Sequence, residues 1–382
     1  MTGGNCTPGD DGMDPVTHAL AGAAVAAAVG AGGARRQASG GRGDSERART
    51  LAPVGALMGV GAIAAVLPDV DRLIASAADP LLHIEYHRHF THALAFIPIG
   101  GAIAVLPWLA RTARRPAWRA YLMTGMAAWA THGLLDASTS YGTLLYWPFS
   151  DVRAAWNMVS IIDPVFTSIL LAGVLLTIVR ASRAPRARVQ ATRPAAVAVL
   201  VCALYLAAGA WQRERASDAL GVIAAGRGHG PLRAAVFPGF ATNVVWRTIY
   251  EAGGTLYMDR VRVPWVGPVT WRPGPSVPAL TAGQLPAHIR QDDRLRDDYR
   301  RFAWFSDGWT ARDATDPRFI GDARYSREVD RYAPVWGIRF LPERTPPVEW
   351  VDFSRGRRVS IVDLWREVSG GDPAYRPLPR AH

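Results

Sequence analysis

The chain has 382 residues, 49% of them hydrophobic and 20% charged, which argues against a disordered polypeptide and against one small domain. Its mean hydropathy of +0.04 lies between that of a soluble enzyme and that of an all-membrane chain, so an apolar part and a polar part are expected. All 43 basic residues are Arg, against 32 acids, and the two Cys, Cys6 and Cys202, form no CxxC pair, which argues against a disulfide framework or a thiolate zinc site.

Met1–Gly12 is Gly-rich and polar and reads as a disordered or non-native extension ahead of a start at Met13. The first apolar stretch lacks a basic n-region, so it reads as an uncleaved anchor rather than a signal peptide. Six stretches approach the roughly 20 apolar residues of a spanning helix. They are about Val16–Ala34, Leu51–Leu67, Ala93–Ala110, Ala120–Leu135, Ile161–Val179 and Ala195–Trp211. The five connections between them carry five, two, four, one and five Arg. Short Arg-rich loops stay in the cytoplasm. The N-terminus, the second and fourth loops and everything after Trp211 are then expected outside. Topology accounts for much of the basic excess, and no nucleic-acid partner is expected.

After Trp211 the composition changes. Gln212–Ala225 reads as a short amphipathic helix. Thr242–Ala252 and Thr255–Val263 alternate apolar and polar residues around Gly253-Gly254, a hairpin signal. Arg331–Leu341 and Val348–Phe353 read as further strands. The expected fold is thus an α-helical membrane bundle of about six helices over 13–211, followed by a mostly β extracytoplasmic domain over 212–382.

Six of the nine His, His83 among them, lie in or beside the second and fourth loops and the helix ends that frame them. His18 opens the first helix, and Pro68-Asp69-Val70-Asp71 closes the second. His87-Arg88-His89-Phe90-Thr91-His92 opens the third, His132-Gly133-Leu134-Leu135-Asp136 closes the fourth, and Asp163-Pro164 opens the fifth. All fall on one side in the topology above. His132 and Asp136 are i,i+4 and share a helix face. Asp69 and Asp71 are i,i+2 and point the same way in an extended segment. Imidazole plus carboxylate is the ligand set of hydrolytic Zn²⁺, or of Mn²⁺, and ionisable groups at a membrane boundary are read as functional by default. His18, Asp69, Asp71, His87, His92, His132 and Asp136 are the expected ligands, with Asp71 or Asp163 as general base. Taken singly, each motif has a plainer reading: an interfacial cap at His18, a helix stop at Asp69, a polar helix contact at His132 and Asp136. His229, His288 and His382 are isolated and read as surface or structural. Trp147 and Trp156 read as an interfacial belt.

The set MDPVTHALAG, LPDVDRL, HRHFTHAL, THGLLDASTSYGTLLYWPFS and IIDPVFT resembles the YdjM-like family of inner-membrane proteins, described as membrane-bound metal-dependent hydrolases. The resemblance covers about Met13–Arg180. The family pattern often reads HRGxTH, and here His89 stands where Gly is usual, either as an extra ligand or as a neighbour. The ligand order is also similar, more weakly, to part of that in zinc-dependent phospholipase C and related nucleases. That likeness implies ligands at His18, Asp69, His92, His132 and Asp136.

The expectation is a multi-pass protein of the inner (plasma) membrane that hydrolyses a lipid or lipid-linked ester or phosphoester at the outer interface through a metal-activated water. One alternative is a transporter or lipid-handling protein that uses the polar cluster for ion coupling. Another is a non-catalytic membrane platform.

Overall fold

The computed structural model describes residues 15–38, 53–112, 118–183, 188–354 and 360–379. The expectations for Met1–Gly12 and for Arg42, Arg47, Arg49, Arg114, Arg115 and Arg186 lie outside the described residues. The chain divides into a helical unit, 11–71 with 88–210, and a second unit that includes 72–87 and 211–382.

In chain order the helices of the first part are α1 (Pro15–Ala38), α2 (Val54–Val66), α3 (Leu82–Tyr86), α4 (Ile97–Thr112), α5 (Trp118–Ser138), α6 (Pro164–Arg183) and α7 (Arg193–Gly226). In the helical unit α1 packs on α2, α5 and α6, and α4 packs on α5. Small residues set the first of these crossings: a Cβ on Gly22 would stand 2.2 Å from the Gly61 carbonyl oxygen, so the two backbones touch as in close-packed lipid-phase helices. Met58, Phe166, Leu170 and Cys202 fill one core of this unit with the Ala face of α1.

Among the described residues three helices are long and apolar enough to cross a membrane: Val54–Leu73, α6 and α7. The pair Leu82–His92 and Leu94–Trp108, bent by 55°, makes a fourth if it is one span. Six spans, as expected from the sequence, are therefore not supported. The apolar run Pro15–Gly30 of α1 is shorter than a span and is built largely of Ala and Gly. Helix α5 carries Arg119, Thr124, Thr131, His132 and Asp136, which lower its hydropathy. Both helices instead bury much of their surface against neighbouring helices.

Helix α7 runs unbroken for 34 residues. Gln212–Ala225, expected as a separate helix, is its last part. Nothing between Trp211 and Glu214 breaks a helix, so the change of composition there changes the environment and not the backbone.

In the second unit, strands β1 (Arg233–Pro238), β2 (Val245–Ala252), β3 (Thr255–Arg262), β4 (Thr270–Arg272) and β5 (Ser276–Pro278) are followed by helix α8 (Asp293–Phe305). Strands β6 (Thr310–Arg312), β7 (Phe319–Asp322), β8 (Trp336–Phe340) and β9 (Val348–Asp352), helix α9 (Ile361–Ser369) and strand β10 (Arg376–Pro377) complete it. One sheet has the order β1-β2-β3-β4-β10, with β5 also on β3, and the other the order β6-β7-β8-β9; every pairing is antiparallel. The β2–β3 turn has Gly253 and Gly254 at φ 56° and 72°, the left-handed pair that a two-residue hairpin requires. Trp246, Tyr250, Val261 and Trp271 of the first sheet bury against Ala219, Leu220 and Ile223 of α7. The segment 72–87 is tied into this unit by Arg301 of α8, which pairs with both Asp79 and Glu85.

Candidate metal centre

Four polar side chains from three places in the helical unit meet: Asp69, His92, His132 and Asp136, each offering a ligand atom within 4.8 Å of the others. Asp69 sits in the 3-10 turn Leu67–Leu73 that ends α2, where Pro68 stops the α-helical ladder. His92 closes the 3-10 turn Phe90–His92. His132 and Asp136 are one turn apart on the buried face of α5. Gly133 permits the approach of the two His segments: a Cβ there would stand 2.2 Å from the His92 carbonyl oxygen.

His92 Nε2 is 2.9 Å from His132 Nε2, 3.2 Å from Asp136 Oδ2 and 3.6 Å from Asp69 Oδ1. His132 Nε2 is 3.3 Å from Asp69 Oδ1 and 3.5 Å from Asp136 Oδ2. Ligands at zinc bond lengths of about 2.0–2.2 Å in tetrahedral array are separated by about 3.3–3.5 Å. The observed separations bracket that value.

The far sides of both imidazoles are held. His132 Nδ1 lies 2.6 Å from the Ala65 carbonyl oxygen, an acceptor only, so Nδ1 carries the proton and donates. His92 Nδ1 lies 3.1 Å from Asp71 Oδ2, and Asp71 Oδ2 also accepts from the Thr91 hydroxyl and the Arg88 amide. With Nδ1 of each ring engaged, the two Nε2 atoms are left facing each other at 2.9 Å, and two neutral rings of this kind would oppose their lone pairs. That is unfavourable unless a cation lies between them, and it is the outer-shell pattern of metal-binding His. Asp136 Oδ1 is buried, with His18 Nε2 3.3 Å away. The donor set fits a metal on these grounds, and its identity is not determined by them.

The other expected residues are placed differently. His18 is buried, stacks on His132 with ring centroids 3.9 Å apart and brings Nε2 to 3.3 Å from Asp136 Oδ1; it borders the four-residue group. Asp71 meets this group through His92, and together with Asp69 it also belongs to a second set of residues that could hold an ion. His87 follows α3 and belongs to the second unit. His89 packs on the Phe90 and Trp147 rings and falls outside the four-residue group. Asp163, expected as a possible base, is a helix cap: Oδ1 accepts from the Val165 and Phe166 amides and Oδ2 from the Tyr205 hydroxyl. These hydrogen bonds fix where the Asp71 and Asp163 carboxylates stand.

Sequence reasoning counted Arg88 only as a loop charge. In the structure it is fully buried, with Nε 3.1 Å from Asp136 Oδ2 and Nη1 donating to Thr139 Oγ1. The signal was an Arg inside a His-rich motif at a helix start; its burial could not be read.

No curated protein and no solved structure matches the chain. The family model described as YdjM inner membrane protein matches residues 13–216. These residues include α1–α6, most of α7 and all four side chains of the group, and the apolar helices fit insertion in a membrane. The chain belongs to the YdjM inner membrane protein family.

Proposed function

We propose that the protein is a membrane-bound metal-dependent hydrolase whose centre is Asp69, His92, His132 and Asp136, with Zn²⁺ as the first choice and Mn²⁺ as the second. The observation that carries this reading is the pair of Nε2 atoms 2.9 Å apart, each on a ring whose Nδ1 meets an acceptor, the outer-shell arrangement of metal-binding His. Asp69, His92, His132 and Asp136 would hold the ion, which would supply Lewis-acid polarisation of the scissile group and an acidified water. The chain's own residues do the rest. Ala65 and Asp71 fix the two rings, Arg88 sets the Asp136 carboxylate, and the apolar walls of α2 and α5 exclude bulk water. Asp69 is the most accessible of the four, its side chain 13% exposed against 2% for Asp136, so substrate approaches from its side. Placement among apolar helices favours a lipid or lipid-linked ester or phosphoester.

The Arg-rich connections set the orientation of this reading. They lie in the cytoplasm; the centre and the unit beyond α7 lie outside it. Helices α1 and α5 complete the bundle by packing on α2, α4 and α6 rather than by their own hydropathy. Protein purified in mild detergent should hold stoichiometric metal, and an Asp69→Ala/His132→Ala variant should hold almost none. Metal-free wild type that gains no esterase or phosphatase activity on adding Zn²⁺ or Mn²⁺ would falsify the proposal. Metal-independent flux in liposomes would favour a transporter instead.

A further inference from the structure

We infer that Arg88 forms an anion subsite beside the Asp/His group, one that takes a phosphoryl oxygen, so that the substrate of this centre is a phosphoester and not a carboxylic ester. The inference rests on the hydrolase reading for its reaction, but the anion subsite stands on its own geometry.

The Arg88 side chain is wholly buried. Nη1 is engaged, donating to Thr139 Oγ1 at 3.1 Å and to the Asp136 carbonyl oxygen at 3.4 Å, and the guanidinium carbon lies 4.5 Å over the Tyr141 ring. Among the described residues Nη2 has no hydrogen-bond partner. In a guanidinium, Nε–H and one Nη2–H point the same way along one edge, and Nε is the atom 3.1 Å from Asp136 Oδ2. The unfilled donor therefore lies on the edge turned to the Asp136 carboxylate. The cation is paired, but a buried N–H left without an acceptor costs free energy.

The backbone at this point is also held in a costly conformation. Arg88 has φ 64°, a left-handed value that is strained for a side chain of this size. It is clamped there by its amide on Asp71 Oδ2 and by the Leu144 amide on its carbonyl, both at 2.9 Å. Leu144 follows the polar run Ser138-Thr139-Ser140-Tyr141-Gly142-Thr143, which is buried throughout. Thr143 Oγ1 is a second buried polar atom of this run without a partner. A planar fork with a free donor matches an anionic oxygen. A phosphoester carries such an oxygen before reaction, and a carboxylic ester does not.

The test uses the full chain in detergent, both chelated and Zn²⁺-loaded, titrated with inorganic phosphate and with dihexanoyl phosphatidate, with metal content measured separately. Arg88→Lys keeps the charge and removes the fork. It should weaken binding of both probes to the chelated protein about tenfold or more, a readout that does not depend on how well the variant holds metal through Asp136. Thr143→Val should weaken binding severalfold, and it carries the test if the Lys variant does not fold. Tighter binding of phosphatidate than of phosphate assigns the site to a lipid headgroup; equal binding assigns it to a free phosphoryl group. Wild type that binds neither probe, or folded variants that bind both as wild type does, overturns the inference and leaves the metal reading intact. Arg88-dependent phosphate binding in a protein that never holds metal removes the metal reading and leaves this one.

Discussion

At the scale of single residues, the candidate centre depends on groups that do not themselves offer it a ligand. Asp71 meets His92 on the side away from His132. Replacing Asp71 with Asn removes the charge that fixes the His92 tautomer, and loss of such an outer partner typically weakens metal binding by about 10–100-fold. Competition against a chelator of known affinity should show that loss with the helical content unchanged; unchanged affinity would mean that Asp71 is only a structural acceptor. Gly133 acts through absence. Because its added Cβ would meet the His92 carbonyl oxygen at 2.2 Å, and that oxygen is backbone, Gly133→Ala must push α5 away from the turn that carries His92. The expected result is destabilisation of about 1–3 kcal/mol, read as a lower thermal midpoint, together with reduced metal content.

At the scale of elements, the segment 72–87 is the informative one. It is joined in chain order to α2 and to the His92 turn, yet it belongs to the second unit. Arg301 of α8 supplies the tie through Asp79, Glu85 and Asp298. Burial would raise the Asp79 carboxyl, but the Arg301 hydrogen bond outweighs it and holds Asp79 below the usual carboxylate range. A depressed Asp contributes stability that is present above its unfolded pKa, about 4, and is lost as pH falls through the lower folded value. Limited proteolysis should therefore cut 72–87 faster in acid than at pH 7. Arg301→Gln should raise cutting at pH 7 and flatten that acid response. Equal cutting of wild type and variant at pH 7 would show that the ion pairs contribute nothing there, as exposed pairs often do.

At the scale of the whole molecule, the orientation proposed from the Arg distribution is open to a direct check. An alkaline phosphatase fused after His382 should be active in a bacterial host, and green fluorescent protein at the same place should be dark. One fused after Arg183 should show the reverse. A fluorescent C-terminal fusion would place the second unit in the cytoplasm and overturn the assignment of the outer interface.

Some of this was legible in the chain alone because it depends on local pattern. Alternation around Gly253-Gly254 needs only neighbours in sequence to specify a hairpin. The change from apolar runs to a strand-rich, Trp- and Pro-punctuated half marked helical and β parts. The motifs LPDVD, HRHFTH and HxxxD named residues suited to a cation, and the resemblance to the YdjM-like family came from the same residues. The number of spans was not legible. Apolar length counts what a helix offers to lipid, and α1 and α5 offer much of their surface to other helices.

What the sequence determined by itself was therefore chemistry of known type at known spacing, with a division into apolar and β-forming halves. Only the tertiary structure decided which of those groups face one another. Asp163 went to a helix cap, His87 to the second unit and His18 to the border of the centre, while Arg88 entered beside Asp136. The reason is that ligand geometry over separations such as the 40 residues between His92 and His132 is set by helix crossings and by a few close backbone approaches. Neither leaves a periodic trace in the chain.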